Sequence, residues 1–336
     1  MKALMLKGIR EVSLEDVPVA PLGPRSVKIR VKRGLLCGTD HSQYAGVFVP
    51  PGDYPFFIGH ELSGIVEEVG NDVVDISPGQ VVVTNPVLYC NECYRCRNGQ
   101  QHFCERLVDL WKPNGGFSEY IVVDRQQVFT IPENITLDQA AFAEPVSVCI
   151  HCIDMADIKP GMSVAITGAG PIGLILLQLA IRSGAALTLV SEPVEAKRNL
   201  AKNLGADVVI DPTKEDIMQK SLEVSSNRGF DVVIEASGNT KATTDAYNIT
   251  GMKSTLFFFA VYPIDFTIPI SPFTMYYKEM TIKAVFFSPY TFPRAINMLP
   301  KLELDSLITH RLPLDRAAEA FDLHETGEPV KILIEC

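Results

Sequence analysis

The sequence predicts an α/β protein in two parts, a β-rich domain carrying a metal-stapled loop and a doubly wound parallel sheet. Three observations carry that expectation. Short period-two runs separated by Gly and Pro fill the first third of the chain. From Gly161 onward, apolar strands alternate with helical segments. Within the β-rich part, four cysteines crowd into the run CNECYRCRNGQQHFC.

The β-rich part reads as SVKIRVKRG, LSGIVEEVG, GQVVVTNPV and FSEYIVV, the pattern of half-buried strands in a barrel-like domain. Cys90, Cys93, Cys96 and Cys104 follow C-x2-C-x2-C-x7-C, with the loop spanning about residues 85–110. Such spacing lets one short segment wrap four thiolates around a single ion, as a closed structural zinc site requires. Two disulfides and a cysteine-ligated iron–sulfur cluster are the alternatives. The first suits a secreted protein, which little else here suggests, and the second is weakened by the lack of ferredoxin spacing.

Near Leu137 the character changes, and LDQAAFAEPVSVCIHCIDMADI has helical spacing. SVAITGAG, LTLVSEP, DVVIDP, FDVVIEASG, TLFFFAV and MTIKAVFF then read as strands of a parallel sheet, with PIGLILLQLAIRSGA and EAKRNLAKNLGA as helices between the first of them. A further helix is expected near Thr291–Pro300. The final strand VKILIE alternates like those of the first part, so the C-terminus is expected to return there. The predicted divisions are 1–147, 148–290 and 291–336.

Gly168, Gly170 and Gly173 form G-x-G-x-x-G directly after a strand and at the opening of a helix, with Pro171 and Ile172 between the last two glycines. The first glycine permits the tight turn, the second a close approach of pyrophosphate, and the third close helix–strand packing. Glu192 ends the next strand, where a carboxylate accepts the ribose hydroxyls and repels a 2′-phosphate. NAD is therefore expected over NADP. Lys197 is a candidate to close over the ribose, although a solvated helix face accounts for it equally well.

Composition bounds the rest. The chain has 336 residues, 47% hydrophobic and 21% charged, with net charge −10. That leaves no basic footprint for nucleic acid and no polybasic membrane patch. The opening residues mix charge too early for a signal peptide, and the longest apolar stretch is broken by the glycine motif. The chain is expected to be soluble and cytoplasmic.

Cys37, His60, Glu61 and Glu144 are all competent zinc ligands, but taken singly each has a plain structural explanation. Taken in order, however, CGTD, GHELSGIVEEVG, the four-cysteine run, GGFSEY, AFAEPVSVCIH, GAGPIG and SPYTFPRAINML resemble the zinc-dependent medium-chain dehydrogenases of the alcohol dehydrogenase superfamily. The resemblance spans essentially the whole chain and is closest to the sorbitol, galactitol-phosphate and threonine dehydrogenase branch. It implies a GroES-like catalytic domain and a Rossmann domain. It also implies one catalytic and one structural zinc, NAD as cofactor, and a homodimer or homotetramer. Cys37 and His60 match zinc ligands, Glu61 a ligand or close neighbour, and Glu144 a second carboxylate of the site. Thr39 matches the hydroxyl that hands on the substrate proton, and Asp40 the group that orients His60. The implied reaction is reversible, NAD-dependent oxidation of a secondary alcohol, with polyols, sugar alcohols or their phosphates as substrates.

The chain departs from the family pattern in places. Ser42 stands where a relay histidine is usual, with His41 one place earlier. Val87 replaces a histidine typical of threonine dehydrogenases, and no arginine stands near Phe287 as in sorbitol-type enzymes. Phe286, Phe287, Tyr290 and Phe292 are candidates for an apolar pocket wall. Cys149 and Cys152 read as helix packing. A threonine- or butanediol-type dehydrogenase and a non-catalytic nucleotide-binding relative are the competing functions.

Overall fold

The computed structural model describes residues 1–47, 54–107 and 115–336, so positions 108–110 of the expected zinc loop lie outside the described residues. The chain divides into two compact units, Met1–Ser147 with Pro289–Cys336, and Val148–Ser288.

The first unit is built on a seven-stranded sheet. Its order is β15 (Ile308–Pro313), β16 (Lys331–Glu335), β3 (Ser26–Leu35), β5 (Glu61–Val69), β6 (Val81–Thr84) and β8 (Val128–Thr130), with β7 (Tyr120–Asp124) also paired to β3. Alternate residues of these strands, Val27, Ile29 and Val31 with Leu62, Val66, Val82, Ile121 and Val123, face one way and close a core. A smaller sheet joins β1 (Lys2–Gly8), β2 (Glu11–Asp16) and β4 (Phe56–Phe57). Register fixes where chemistry can occur. The antiparallel β3–β5 pairing sets Leu35 opposite Glu61, and the β16–β3 pairing sets Leu333 opposite Leu35. One end of three adjacent strands thus carries Cys37, His60 with Glu61, and Lys331.

Strand β16 differs from the expected alternation, because Lys331, Ile332, Leu333 and Ile334 are all buried. It lies between β15 and β3 rather than at an edge, and the burial of four successive side chains shows that both its faces are covered. The helical stretch after Leu137 divides into α3 (Leu137–Ala140) and α4 (Ala143–Ala156), numbered after α1 (Gly38–Tyr44) and α2 (Tyr94–Arg97).

The second unit is a six-stranded parallel sheet. Its order is β11 (Val208–Ile210), β10 (Leu187–Ser191), β9 (Ser163–Thr167), β12 (Phe230–Glu235), β13 (Thr250–Phe258) and β14 (Thr281–Ala284). Chain order reverses between β9 and β12, and in such sheets ligands sit outside the carboxyl ends of the strands at that switch. The glycine motif follows β9 and opens α5 (Pro171–Arg182), whose Leu174–Leu177 are buried throughout. Helix α6 (Glu195–Asn203) connects β10 to β11. Strand β14 stops at Ala284, three residues short of the end of the apolar run that predicted it. Among the described residues no helix is long and apolar enough to cross a membrane.

Candidate functional site

Among the described residues, two groups of metal-competent side chains assemble in the first unit. In the first, the ligand atoms of Cys37, His60 and Glu61 all lie within 4.8 Å of one another. Cys37 is the N-cap of α1, and its sulfur accepts the backbone N–H of Thr39 at 3.4 Å. Asp40, one turn on and fully buried, reaches back to the Cys37 N–H at 2.9 Å. The other oxygen of Asp40 accepts the Gly59 N–H at 3.2 Å and lies 3.1 Å from Nδ1 of His60. This carboxylate fixes the helix start and the imidazole together, and it leaves Nε2 as the ligating nitrogen. Lys331 bonds Glu61 Oε1 at 2.9 Å, and both side chains are almost wholly buried.

The electrostatics of this set fit a divalent cation. Burial pushes the Cys37 thiol up, with Glu61 adding to the shift. Burial opposes the charged form of His60, yet Asp40 and Cys37 outweigh it and hold the imidazole well above its ordinary value. Glu144, in the first turn of α4, is pushed to about 7 by burial, reinforced by Glu61 and Asp40 against His60 and Lys331. Burial thus disfavours the charged forms of the Cys37 thiol and the Glu144 carboxyl, which a bound cation would favour. Glu144 lies close enough to feel His60 and Glu61, but it is not among the three groups whose ligand atoms converge.

The second group is Cys90, Cys93, Cys96 and Cys104. A tetrahedron with zinc–sulfur arms of about 2.3 Å has edges of about 3.8 Å. The Cys90 sulfur lies 3.5 Å from that of Cys104 and 3.9 Å from that of Cys96. No disulfide forms among them, and all eight cysteines are free. Backbone N–H groups also point at the sulfurs, from Cys93 to Cys90 at 3.4 Å and from Cys96 to Cys93 at 3.5 Å. With the N–H groups of Glu92 and Cys93 as the main cause, the Cys90 thiol falls to about 6, which favours the thiolate that a metal takes.

In the second unit the glycines have distinct steric reasons. Gly168 has φ +98° and packs on Ser237, and a Cβ on Gly173 would stand 2.0 Å from the Gly168 carbonyl oxygen. A Cβ on Gly170 would meet nothing within 4 Å, so that glycine faces open space at the start of α5, where Pro171 and Ile172 form the first turn. Glu192 follows β10 and is buried. Its carboxylate accepts the N–H of Ala169 at 2.8 Å and of Val194 at 2.9 Å, which locks it beside the glycine turn. Lys197 is half-buried; burial lowers its ammonium while Glu192 opposes the shift.

Other expectations turn out differently. His41 Nε2 lies 3.1 Å from Glu325, and its ring packs 4.9 Å from His324, so it is engaged with α11 (Glu319–Glu325). Phe292 is a core residue with its ring tilted against that of Phe129, centroids 4.8 Å apart, whereas Phe286 and Tyr290 are exposed. Tyr290 donates to the Cys96 carbonyl at 3.4 Å instead of walling a pocket. Cys149 and Cys152, by contrast, are fully buried in α4, in agreement with their reading as helix packing. Sequence reasoning missed Lys331 and Arg198. The signal for Lys331 was one charge opening an apolar strand. Nothing in the pattern of α6 singled out Arg198.

Residues 23–133 match the family described as "Alcohol dehydrogenase GroES-like domain", and residues 171–301 match "Zinc-binding dehydrogenase". The chain is 34% identical to the L-threonine 3-dehydrogenase of Pyrococcus furiosus, covering 95% of this chain and 94% of the relative. It is 31% identical to the L-idonate 5-dehydrogenase of Vitis vinifera, covering 97% and 92%. A zinc-binding dehydrogenase from Sinorhizobium meliloti, solved with NADP bound, superposes with a TM-score of 0.94 at 32% identity, covering 100% of this chain and 99% of that one.

Proposed function

The chain belongs to the zinc-binding dehydrogenases of the alcohol dehydrogenase family, and from that premise we propose that it oxidises a polyol, sugar alcohol or sugar-alcohol phosphate reversibly to a ketone, with NAD as hydride acceptor. The convergence of Cys37, His60 and Glu61 beside Asp40 carries the proposal. Those three residues would hold the catalytic zinc, with Glu144 as a further carboxylate beside them. When bound, the ion supplies the Lewis acidity that lowers the pKa of an alcohol toward neutrality. Asp40 keeps the His60 tautomer fixed, and the Thr39 hydroxyl, in the first turn of α1, would hand on the substrate proton, accepting it while releasing its own toward the cofactor ribose. Cys90, Cys93, Cys96 and Cys104 would hold a structural zinc.

Cofactor binding belongs to the second unit. The N–H groups opening α5 face the pyrophosphate across Gly170, and Glu192 accepts the adenosine ribose hydroxyls, with Lys197 beside it. The choice of NAD rests on that carboxylate.

The identity to threonine 3-dehydrogenase favours a second reading, oxidation of L-threonine or a butanediol. Val87, which replaces the histidine typical of threonine dehydrogenases, favours the polyol reading. The deciding experiment follows NADH formation over polyols, their phosphates, threonine and butanediol, with and without a chelator. Chelator-sensitive turnover of a polyol supports the proposal. Turnover confined to threonine or butanediol refutes its substrate class.

A homodimer or homotetramer is the proposed assembly. Among the described residues strand β14 lies at one edge of its sheet, and Phe273, Tyr276 and Tyr277 nearby are largely exposed. Light scattering tests it, and a monomer at micromolar concentration rejects it. Eight free thiols suit a reducing cytoplasm.

A further inference from the structure

We propose that Asp211 is a second determinant of cofactor choice: it holds Arg198 against the backbone under Glu192 and so withholds a cation from a 2′-phosphate. The inference rests on reading Glu192 as the ribose ligand. The parallel register of β10 and β11 pairs Ser191 with Ile210, so Glu192 and Asp211 are the next residues at the carboxyl ends of two neighbouring strands. The Glu192 N–H bonds the Ile210 carbonyl at 3.0 Å, which continues the ladder to that point.

The two carboxylates turn to different partners. Glu192 is held by the N–H groups of Ala169 and Val194. Asp211 lies 3.1 Å from one terminal nitrogen of Arg198, and the side chains are 7% and 12% exposed. The other terminal nitrogen of Arg198 donates to the carbonyls of Glu192 at 2.8 Å and Pro193 at 2.6 Å. Asp211 is itself anchored by the Thr213 N–H and hydroxyl and by Lys214 at 3.3 Å.

A guanidinium is well suited to grip a phosphate through paired N–H donors. Here those donors face two carbonyls and a carboxylate. A 2′-phosphate would meet the Glu192 charge and an arginine already occupied, while a 2′-hydroxyl would find an acceptor. Two changes are needed to reverse the preference: removal of the Glu192 charge and release of Arg198.

The test measures binding of NADH and NADPH to the zinc-loaded protein by cofactor fluorescence, so it does not depend on the alcohol. Glu192→Ser should weaken NADH binding several-fold and leave NADPH binding weak. Adding Asp211→Asn should tighten NADPH by about tenfold, the scale of one charge-assisted pair. Adding Arg198→Gln to that double variant should cancel the gain. If Asp211→Asn adds nothing for NADPH in a folded double variant, the proposal is overturned. A control leaves Asp211 intact: in the Glu192→Ser background, Arg198→Gln should leave NADPH binding within about twofold of its value without it, and a tenfold loss would mean Arg198 was never withheld. An unchanged NADH-to-NADPH ratio in Glu192→Ser alone would instead refute the Glu192 reading.

Discussion

Lys331 and Glu61 form a buried ion pair, the ammonium 2.6 and 2.9 Å from the two carboxylate oxygens, with side chains 2% and 1% exposed. Glu61 therefore has a permanent counter-charge from β16 while it also stands among the metal-competent groups from β3 and β5. The pair balances a carboxylate that burial would otherwise penalise heavily.

Removing Lys331 separates those two roles. In chelator-treated protein, Lys331→Met leaves Glu61 without a partner and should destabilise the fold by roughly 3–5 kcal/mol. With zinc present, the ion offers Glu61 another positive neighbour, and the loss should be smaller. Thermal unfolding with and without chelator measures the difference, and equal losses in both states would rule out a shared electrostatic site.

The two cysteine sites should fail in different ways. Cys37→Ser is expected to leave stability and cofactor binding nearly intact while lowering kcat by at least about 10²-fold. Cys93→Ser should release one zinc per chain and cost more than about 2 kcal/mol of stability, because a closed site contributes folding energy. Metal content and unfolding curves on the same preparations distinguish the two. Near-normal turnover in Cys37→Ser would sink the catalytic assignment.

Gly170 and Gly173 make a second contrasting pair. A methyl at Gly173 would press on the Gly168 carbonyl at 2.0 Å, so Gly173→Ala should lower the melting temperature as well as cofactor affinity. A methyl at Gly170 would meet nothing within 4 Å in the protein. Gly170→Ala should therefore keep the melting temperature and weaken NADH binding alone, through the space a pyrophosphate needs. Unimpaired NADH binding in Gly170→Ala would move the pyrophosphate elsewhere.

Asp138 gives the first unit an acid-sensitive tie. It joins α3 to β3 through Arg33 at 2.6 Å and to β15 through Arg311 at 2.6 Å. Burial opposes ionisation of its carboxyl, but together the two guanidinium groups hold it below the usual range. Because the folded state lowers this pKa, the stabilisation is full above the unfolded value near 4 and fades as pH falls through the folded one. Asp138→Asn should cost about 1 kcal/mol at neutral pH, allowing for solvent screening of Arg311, and nothing once both states are protonated. A pH-independent difference between the two proteins would contradict this account.

The sequence by itself determined the fold class, the cysteine lobe and the glycine turn. Each of these is a local matter: strand alternation, a fifteen-residue loop and a strand–turn–helix can be read within a short window. It could also nominate Cys37, His60 and Glu61, but their spacing gave no physical reason for them to meet. Only tertiary structure decided that. The β3–β5 and β16–β3 registers bring residues 37, 60, 61 and 331 to one end of the sheet, and pairing partners so distant in sequence leave no local trace. Lys331 shows the limit most clearly. A lysine opening an apolar strand carries no local sign of its partner; its burial is possible because the Glu61 carboxylate of β5, on the far side of β3, pairs with it. The same holds for Arg198, whose role depends on the neighbouring strand that supplies Asp211.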